Sequence, residues 1–189
     1  MRKRVVIPAL LLVAVIAVSI GLYLFQPWRI FTSSTVIEDL PAASTPAAPP
    51  VVEPATGPSA PSETPSAVAP VAAPRELATG QLISHEHASS GTAKILELPD
   101  GSRILRLEGL DTSDGPDLHV WLTDAPVIEG TAGWYVFDDG AYLDLGALKA
   151  NKGDQNYEIP AAAEPGDYSS VSIWCARFAV SFAAAELKT

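Results

Sequence analysis

The chain has 189 residues, 48% of them hydrophobic, and a formal net charge of -10 at neutral pH. Residues 76–189 carry eighteen acidic residues against seven Lys and Arg, whereas residues 1–34 carry four basic residues and no acidic one. Phosphate groups repel a domain of this sign, which argues against nucleic acid as a partner and against an anionic lipid surface as a partner of this domain. The one cysteine, Cys175, excludes an intrachain disulfide.

Residues 5–25 form an uncharged, largely apolar run of twenty-one residues. A helix of that length, at about 1.5 Å per residue, covers the roughly 30 Å hydrocarbon layer, so the pattern predicts a transmembrane anchor within residues 1–34. Basic residues 2–4 precede the run, which predicts a single-pass protein of the cell membrane with a cytoplasmic N-terminus and its C-terminal domain outside. The alternative is a cleaved signal peptide with small residues at Ala17 and Ser19. We favour the uncleaved anchor because the apolar run continues to Phe25.

Residues 35–75 are rich in Pro, Ala, Ser and Thr, and ten prolines stand between Pro41 and Pro74. This composition lacks the apolar periodicity that a packed core requires, so it predicts a disordered linker. Proline-rich chains favour the extended polyproline geometry, and the segment is expected to act as a spacer before the folded domain.

Residues 76–189 show strand signals at short intervals, and 114 residues are enough for one hydrophobic core. Eight segments carry these signals: 81–84, 93–98, 103–107, 118–122, 142–145, 156–159, 170–174 and 178–182. Pro99-Asp100-Gly101 is typical of a hairpin turn between the second and third of them. The predicted fold class is therefore all-β, an antiparallel β-sandwich of about eight short strands, preceded by one transmembrane helix and the disordered linker.

Two segments predict which side chains share a face of a strand. In residues 118–122 the apolar side chains Leu118, Val120 and Leu122 alternate, which indicates a strand with one buried face. The run 171–182 is apolar on both faces, which is typical of a central strand. If that run is extended throughout, Val171, Ile173 and Cys175 share one face, and Trp174, Phe178, Val180 and Phe182 lie largely on the other.

Several motifs occur in a fixed order along this domain. They are His87 with Gly91, then Gly115-Pro116-Asp117-Leu118, then Leu145-Gly146-Ala147-Leu148-Lys149, then Gly153-Asp154-Gln155-Asn156-Tyr157, and finally Trp174-Cys175 with Phe178. In this order they resemble the DM-thirteen domain family over about Gly80 to Leu187. The resemblance implies a role in electron transfer at cell surfaces rather than a classical enzyme activity. It also implies that Cys175 is a redox-active thiol or the ligand of a prosthetic group, with His87 as a second participant.

The chemistry of Cys175 leaves two interpretations open. A redox thiol needs thiolate character, and Arg177 is the nearest cation in sequence, on the same face as Cys175 if the strand is continuous. A thiolate can also ligate haem iron, but no cofactor follows firmly from the sequence. The other interpretation is that Cys175 is a small buried core residue, as cysteines on apolar strands usually are.

Other site types find little support in the sequence. His85 and His87 would share one face of a strand, and together with His119 and Cys175 they could supply the nitrogen and sulfur ligands of a metal site. Histidines at a strand end are more often solvated, so we predict no metal. The aspartates of residues 111–117 lack the spacing of a calcium loop. Two functions remain: a redox or electron-transfer module with a redox protein partner, and a non-catalytic binding or structural module of the cell envelope in which Cys175 only packs.

Overall fold

The computed structural model describes residues 2–41 and 73–189. In these ranges one α-helix, α1, precedes ten β-strands, and three short 3₁₀ helices occur at Pro27–Phe31, Thr131–Gly133 and Pro165–Asp167. The helix is Arg2–Phe25, and the strands are β1 (Thr35–Ile37), β2 (Arg75–Gln81), β3 (Ile83–Ser84), β4 (Ser90–Glu97), β5 (Arg103–Asp111), β6 (Leu118–Thr123), β7 (Tyr142–Ala147), β8 (Lys152–Ile159), β9 (Ser170–Cys175) and β10 (Val180–Glu186).

The strands form two five-stranded sheets, in the orders β1-β8-β5-β4-β2 and β3-β10-β9-β6-β7. The predicted sandwich is thus present, but the prediction of about eight strands, all antiparallel, is wrong. The segment predicted as one strand, 81–84, is divided between the two sheets at Leu82, because β2 belongs to one sheet and β3 to the other. The strand β1 pairs with β8 in parallel, whereas the other pairs are antiparallel.

The turn predicted at Pro99-Asp100-Gly101 is confirmed, and it joins β4 to β5. Gly101 has a positive φ of 83°, which glycine adopts without the penalty that a Cβ brings. The Asp100 carboxylate accepts hydrogen bonds from the backbone N–H of Ser102 at 2.9 Å and from its hydroxyl at 2.6 Å. These local bonds fix the register of the hairpin.

The main core lies between the two sheets and contains Cys175. The predicted faces of β9 are confirmed: Val171, Ile173 and Cys175 point into this core, while Trp174 packs in a second cluster with Trp121 and Phe137. The placement of Val180 and Phe182 on the opposite face, which held only for a strand extended throughout, does not apply, since both residues lie in the same core as Cys175. The reason is that the chain turns at residues 176–179 and returns as β10, so the alternation of an extended strand does not continue.

No helix within residues 2–41 and 73–189 combines the length and the apolar character needed to cross a lipid bilayer. The transmembrane anchor predicted over residues 5–25 is therefore wrong, and the single-pass placement in the cell membrane is wrong with it. The final turn of α1 lies on the β-sandwich instead. The Arg177 guanidinium donates to the backbone carbonyl of Leu24 at 2.7 Å, and the ring of Phe25 stacks on that of Phe178 at 5.7 Å between centroids.

The predicted disordered linker, residues 35–75, lies mainly outside the described residues. Its first residues belong to the sandwich, because Thr35–Ile37 form β1 at the edge of β8. The Glu38 carboxylate that follows accepts hydrogen bonds from the Lys149 ammonium at 2.8 and 2.9 Å and from the Asn156 backbone N–H at 2.7 Å. These hydrogen bonds of the Glu38 carboxylate, which the composition did not indicate, hold β1 in place.

Candidate functional site

Cys175 is the last residue of β9 and has no exposed surface. Its backbone lies between Leu118 of β6 on one side and Val180 of β10 on the other. The following residue, Ala176, donates its backbone N–H to the Asp117 carbonyl at 2.9 Å. The predicted residues Asp117 and Leu118 are thus brought next to Cys175 by the pairing of β6 with β9.

Burial raises the pKa of the Cys175 thiol above its ordinary value, since a charged sulfur cannot be solvated in the core. Hydrogen bonding by the backbone N–H groups of Phe178 and Arg177 lowers the pKa, whereas the negative charges of Asp117 and Glu86 raise it further. Burial is the largest of these effects, so the thiol is protonated at neutral pH in the closed fold.

The predicted partnership between Cys175 and the Arg177 side chain is wrong. The residues do not share a strand face, because the chain turns directly after Cys175 and the Phe178 N–H bonds to the Cys175 carbonyl at 3.2 Å. The Arg177 guanidinium instead donates to the carbonyls of Leu24, at 2.7 Å, and Tyr23, at 3.4 Å. A cation at the C-terminal end of a helix is favourable because the free carbonyls there carry partial negative charge.

His87 lies in the bend after β3 rather than in a strand. Its ring packs on the ring of Phe182 with 4.0 Å between centroids, and its Nε2 is 3.8 Å from a carboxylate oxygen of Glu86. Phe182 belongs to the core that contains Cys175. Phe182 therefore connects the His87 ring to the core that contains Cys175.

His85 is the histidine whose role the sequence did not reveal. It is buried, with Nδ1 2.9 Å from the Ser181 hydroxyl and Nε2 3.2 Å from the Ile128 carbonyl. A carbonyl can only accept, so Nε2 carries the proton that it donates to Ile128. Burial lowers the pKa of His85, which keeps the ring neutral. The sequence pattern that placed His85 and His87 on one strand face did not predict the burial of His85, because both residues lie beyond the end of β3.

His119 also has local partners. Its Nδ1 is 2.8 Å from an Asp144 carboxylate oxygen, and its Nε2 is 3.4 Å from one of Asp117. Within residues 2–41 and 73–189, no group of three or more His, Cys, Asp or Glu side chains has an arrangement that could hold a metal ion. The imagined set of His85, His87, His119 and Cys175 does not come together.

The remaining motif residues divide into those that shape the backbone and those that surround Cys175. Gly91 has a φ of 134°, and a Cβ there would lie 3.0 Å from the Leu110 Cα, so no other residue fits without a shift of the backbone. The Tyr157 hydroxyl donates to the Gln155 side chain at 2.7 Å and accepts the Lys149 N–H at 3.0 Å. Pro116, Asp117, Leu118, Trp174 and Phe178, by contrast, all lie on or next to the segments that enclose Cys175.

The family model described as Electron transfer DM13 matches residues 81–187, more than half of the chain. The chain belongs to the Electron transfer DM13 family. Searches among characterised proteins and among solved structures found no match. The resemblance to this family that the ordered motifs indicated, over about Gly80 to Leu187, is confirmed, and in this DM13 domain Cys175 and His87 both lie inside the matched range.

Haem, which the resemblance left open, does not fit the sulfur of this DM13 domain. An iron ligand must have room for the porphyrin beside it, but Cys175 has no exposed surface and lies between Leu118 and Val180 inside the core. A macrocycle could reach the sulfur only if the packing between the two sheets opened. We therefore treat Cys175 by its own thiol chemistry.

Proposed function

We propose that this chain is a redox module whose redox group is the Cys175 thiol, kept protonated while the fold is closed. The observation that carries the proposal is that Cys175, the one cysteine of the chain, lies directly before the exposed 176–179 turn and inside the range 81–187. The match to an electron-transfer family supports the same function.

Opening of the 176–179 turn would make the thiol reactive. Burial is the largest effect that raises the pKa of Cys175, and exposure removes it. The pKa then falls and the thiolate fraction at neutral pH rises. Ala179 favours such an opening, because its φ of 50° is left-handed and costs an L-residue roughly 1–2 kcal/mol.

The reaction that fits a lone thiol is a two-electron cycle with a peroxide and a small thiol. The thiolate attacks one oxygen of hydrogen peroxide, the O–O bond breaks, an S–O bond forms, and hydroxide leaves and takes up the proton that the thiol had released, which gives water and oxidises Cys175 to a sulfenic acid. Two equivalents of a thiol reductant return it to the thiol and release water and a disulfide of the reductant. Each cycle moves two electrons through the domain.

A second candidate is a non-catalytic binding or structural module in which Cys175 only packs. The complete burial of Cys175 favours it, as does the raised pKa of its thiol. The surplus of acidic residues in 76–189 would then direct the domain to a basic partner. The protein partner, whether redox or structural, stays a prediction.

The deciding experiment treats the purified full chain with hydrogen peroxide and traps sulfenic acid with dimedone, with detection by mass spectrometry. The redox proposal expects a dimedone adduct on Cys175 and recovery of the free thiol with glutathione. Cys175→Ser is the matched control, because a serine hydroxyl is close in size to the thiol but cannot form the adduct. A native chain without adduct, whose Cys175 reacts only after denaturation, would establish the packing function instead.

A further inference from the structure

The turn that follows Cys175 carries the contact with α1. The Arg177 guanidinium donates to the Leu24 carbonyl at 2.7 Å, and the Phe178 ring stacks on Phe25 with 5.7 Å between centroids and an interplanar angle of 23°. Phe178 is nevertheless 43% exposed, so α1 covers only one side of the turn. These contacts join positions about 153 residues apart in the sequence.

The same two residues close the turn that directly follows Cys175. The Phe178 backbone N–H donates to the Cys175 carbonyl at 3.2 Å, while the side chains of Arg177 and Phe178 contact the end of α1. Movement of these two residues therefore changes the backbone position of Cys175 and the shielding of its sulfur from solvent. The position of α1 and the environment of the thiol are coupled through two consecutive residues.

The segment after α1 is attached to the domain independently of this turn. The Arg29 guanidinium donates to the Asp114 carboxylate at 3.2 Å and to the Gly115 carbonyl at 3.1 Å, and the Thr32 hydroxyl donates to the Asp114 carboxylate at 2.7 Å. Further on, β1 pairs with β8. The end of α1 can thus leave the turn while the following residues stay bound, which makes local release less costly than loss of the whole segment.

We propose that the end of α1 is a cover for Cys175, and that Arg177 and Phe178 are positioning residues that transmit its presence or release to the thiol. With the cover in place, the 176–179 turn stays closed over the sulfur. With α1 released, the turn loses one charge-assisted hydrogen bond and one aromatic stack, and it opens more often. That the cover controls oxidation of Cys175 rests on the proposed function. That the cover controls access of reagents to the sulfur does not.

The experiment measures the rate at which iodoacetamide alkylates Cys175 in the native full chain, beside the free energy of unfolding in urea. Arg177→Ala and Phe25→Ala remove the two contacts from opposite sides of the interface. In each the rate is expected to rise about tenfold, as for the loss of one charge-assisted hydrogen bond or its equivalent in packing. Arg177→Lys keeps a cation that can donate to the Leu24 carbonyl, and it should restore part of the protection.

Two control variants match these changes elsewhere in the chain. Arg103→Ala removes a guanidinium that donates to the Ala161 carbonyl at 3.1 Å, far from the turn in sequence, and Tyr23→Ala removes a side chain that is 72% exposed while it keeps the Tyr23 carbonyl. Neither should change the alkylation rate beyond what its effect on stability explains.

Three results separate the explanations. Faster alkylation in Arg177→Ala and Phe25→Ala, at nearly unchanged stability, supports the cover. Rates that equal the wild-type rate, or that follow global stability in all the variants, overturn it. If the alkylation rates support the cover but peroxide gives no dimedone adduct even in Phe25→Ala, the redox function fails and the cover stands. If peroxide gives the adduct but the alkylation rate is equal in every variant, the cover fails and the redox function stands.

Discussion

Gly153→Ala should destabilise the domain by more than Gly146→Ala, although both glycines have similar backbone angles. Their φ values are 101° and 115°, so an alanine at either position is strained by about 1–3 kcal/mol. A Cβ at Gly146 meets no atom within 4 Å, whereas one at Gly153 would overlap the carbonyl of Val36 in β1. The difference between the two variants therefore measures how much the contact between β1 and β8 contributes to the free energy of unfolding.

The extra cost at Gly153 follows from what β1 contributes. A displaced β1 weakens its pairing with β8 and two flanking backbone hydrogen bonds, from Lys152 N–H to the Ser34 carbonyl at 3.1 Å and from Glu38 N–H to the Asp154 carbonyl at 2.9 Å. At about 0.5–1.5 kcal/mol for each net hydrogen bond, loss of two to three bonds adds about 2 kcal/mol. We expect the unfolding free energy of Gly153→Ala to lie below that of Gly146→Ala by this amount.

The assay is urea unfolding of both full-length variants followed by tryptophan fluorescence, with amide hydrogen exchange to locate the change. In Gly153→Ala the Glu38 amide should exchange faster than in Gly146→Ala, because the displaced β1 draws Glu38 away from the Asp154 carbonyl that accepts its N–H. Equal unfolding free energies together with equal protection of the Glu38 amide would refute the reasoning, since β1 would then contribute nothing to the sandwich.

Three further outcomes follow from the burial and charges of single side chains. The ammonium of Lys149 beside Glu38 holds the pKa of the Glu38 carboxyl below 4.5. The stability that this ion pair contributes is present above the unfolded pKa and is lost as the pH falls through the folded pKa. Glu38→Gln should therefore flatten the acid limb of a curve of unfolding free energy against pH. Burial raises the pKa of Tyr157 to about 12, so stability should decline above about pH 10, where the unfolded phenol ionises, and Tyr157→Phe should remove that decline. Cys175→Ala should lower the unfolding free energy by about 1–3 kcal/mol through lost packing, measured in urea, and an unchanged midpoint would contradict its place in the core.

Predictions about β9 and its neighbours succeeded where they depended on local alternation. The faces of Val171, Ile173, Cys175 and Trp174 follow from the period of two in an extended strand, and the Asp100-Gly101 turn follows from the backbone preferences of those two residues. Both properties are encoded within a few residues, which is why they could be predicted without knowledge of the fold.

The predictions for the N-terminal region failed because they used composition alone. Apolar character over residues 5–25 indicated an anchor, but no described helix is long and apolar enough to span a bilayer. The end of α1 contacts Arg177 and Phe178, which lie about 150 residues away. Likewise β1 forms because Glu38 meets Lys149, and these partners are 111 residues apart. Composition of one segment carries no information about such partners.

By itself the sequence determined the sandwich class, the faces of β9, one hairpin turn and membership of the Electron transfer DM13 family, since strand periodicity, turn chemistry and ordered motifs are local properties. Only the tertiary structure decided what surrounds the Cys175 sulfur. The turn after β9 brings Val180 and Phe182 back to the face of Cys175 and carries the Arg177 side chain away to α1. Burial of the thiol depends on strands that meet only when the whole chain folds, and this burial is the largest effect on its pKa.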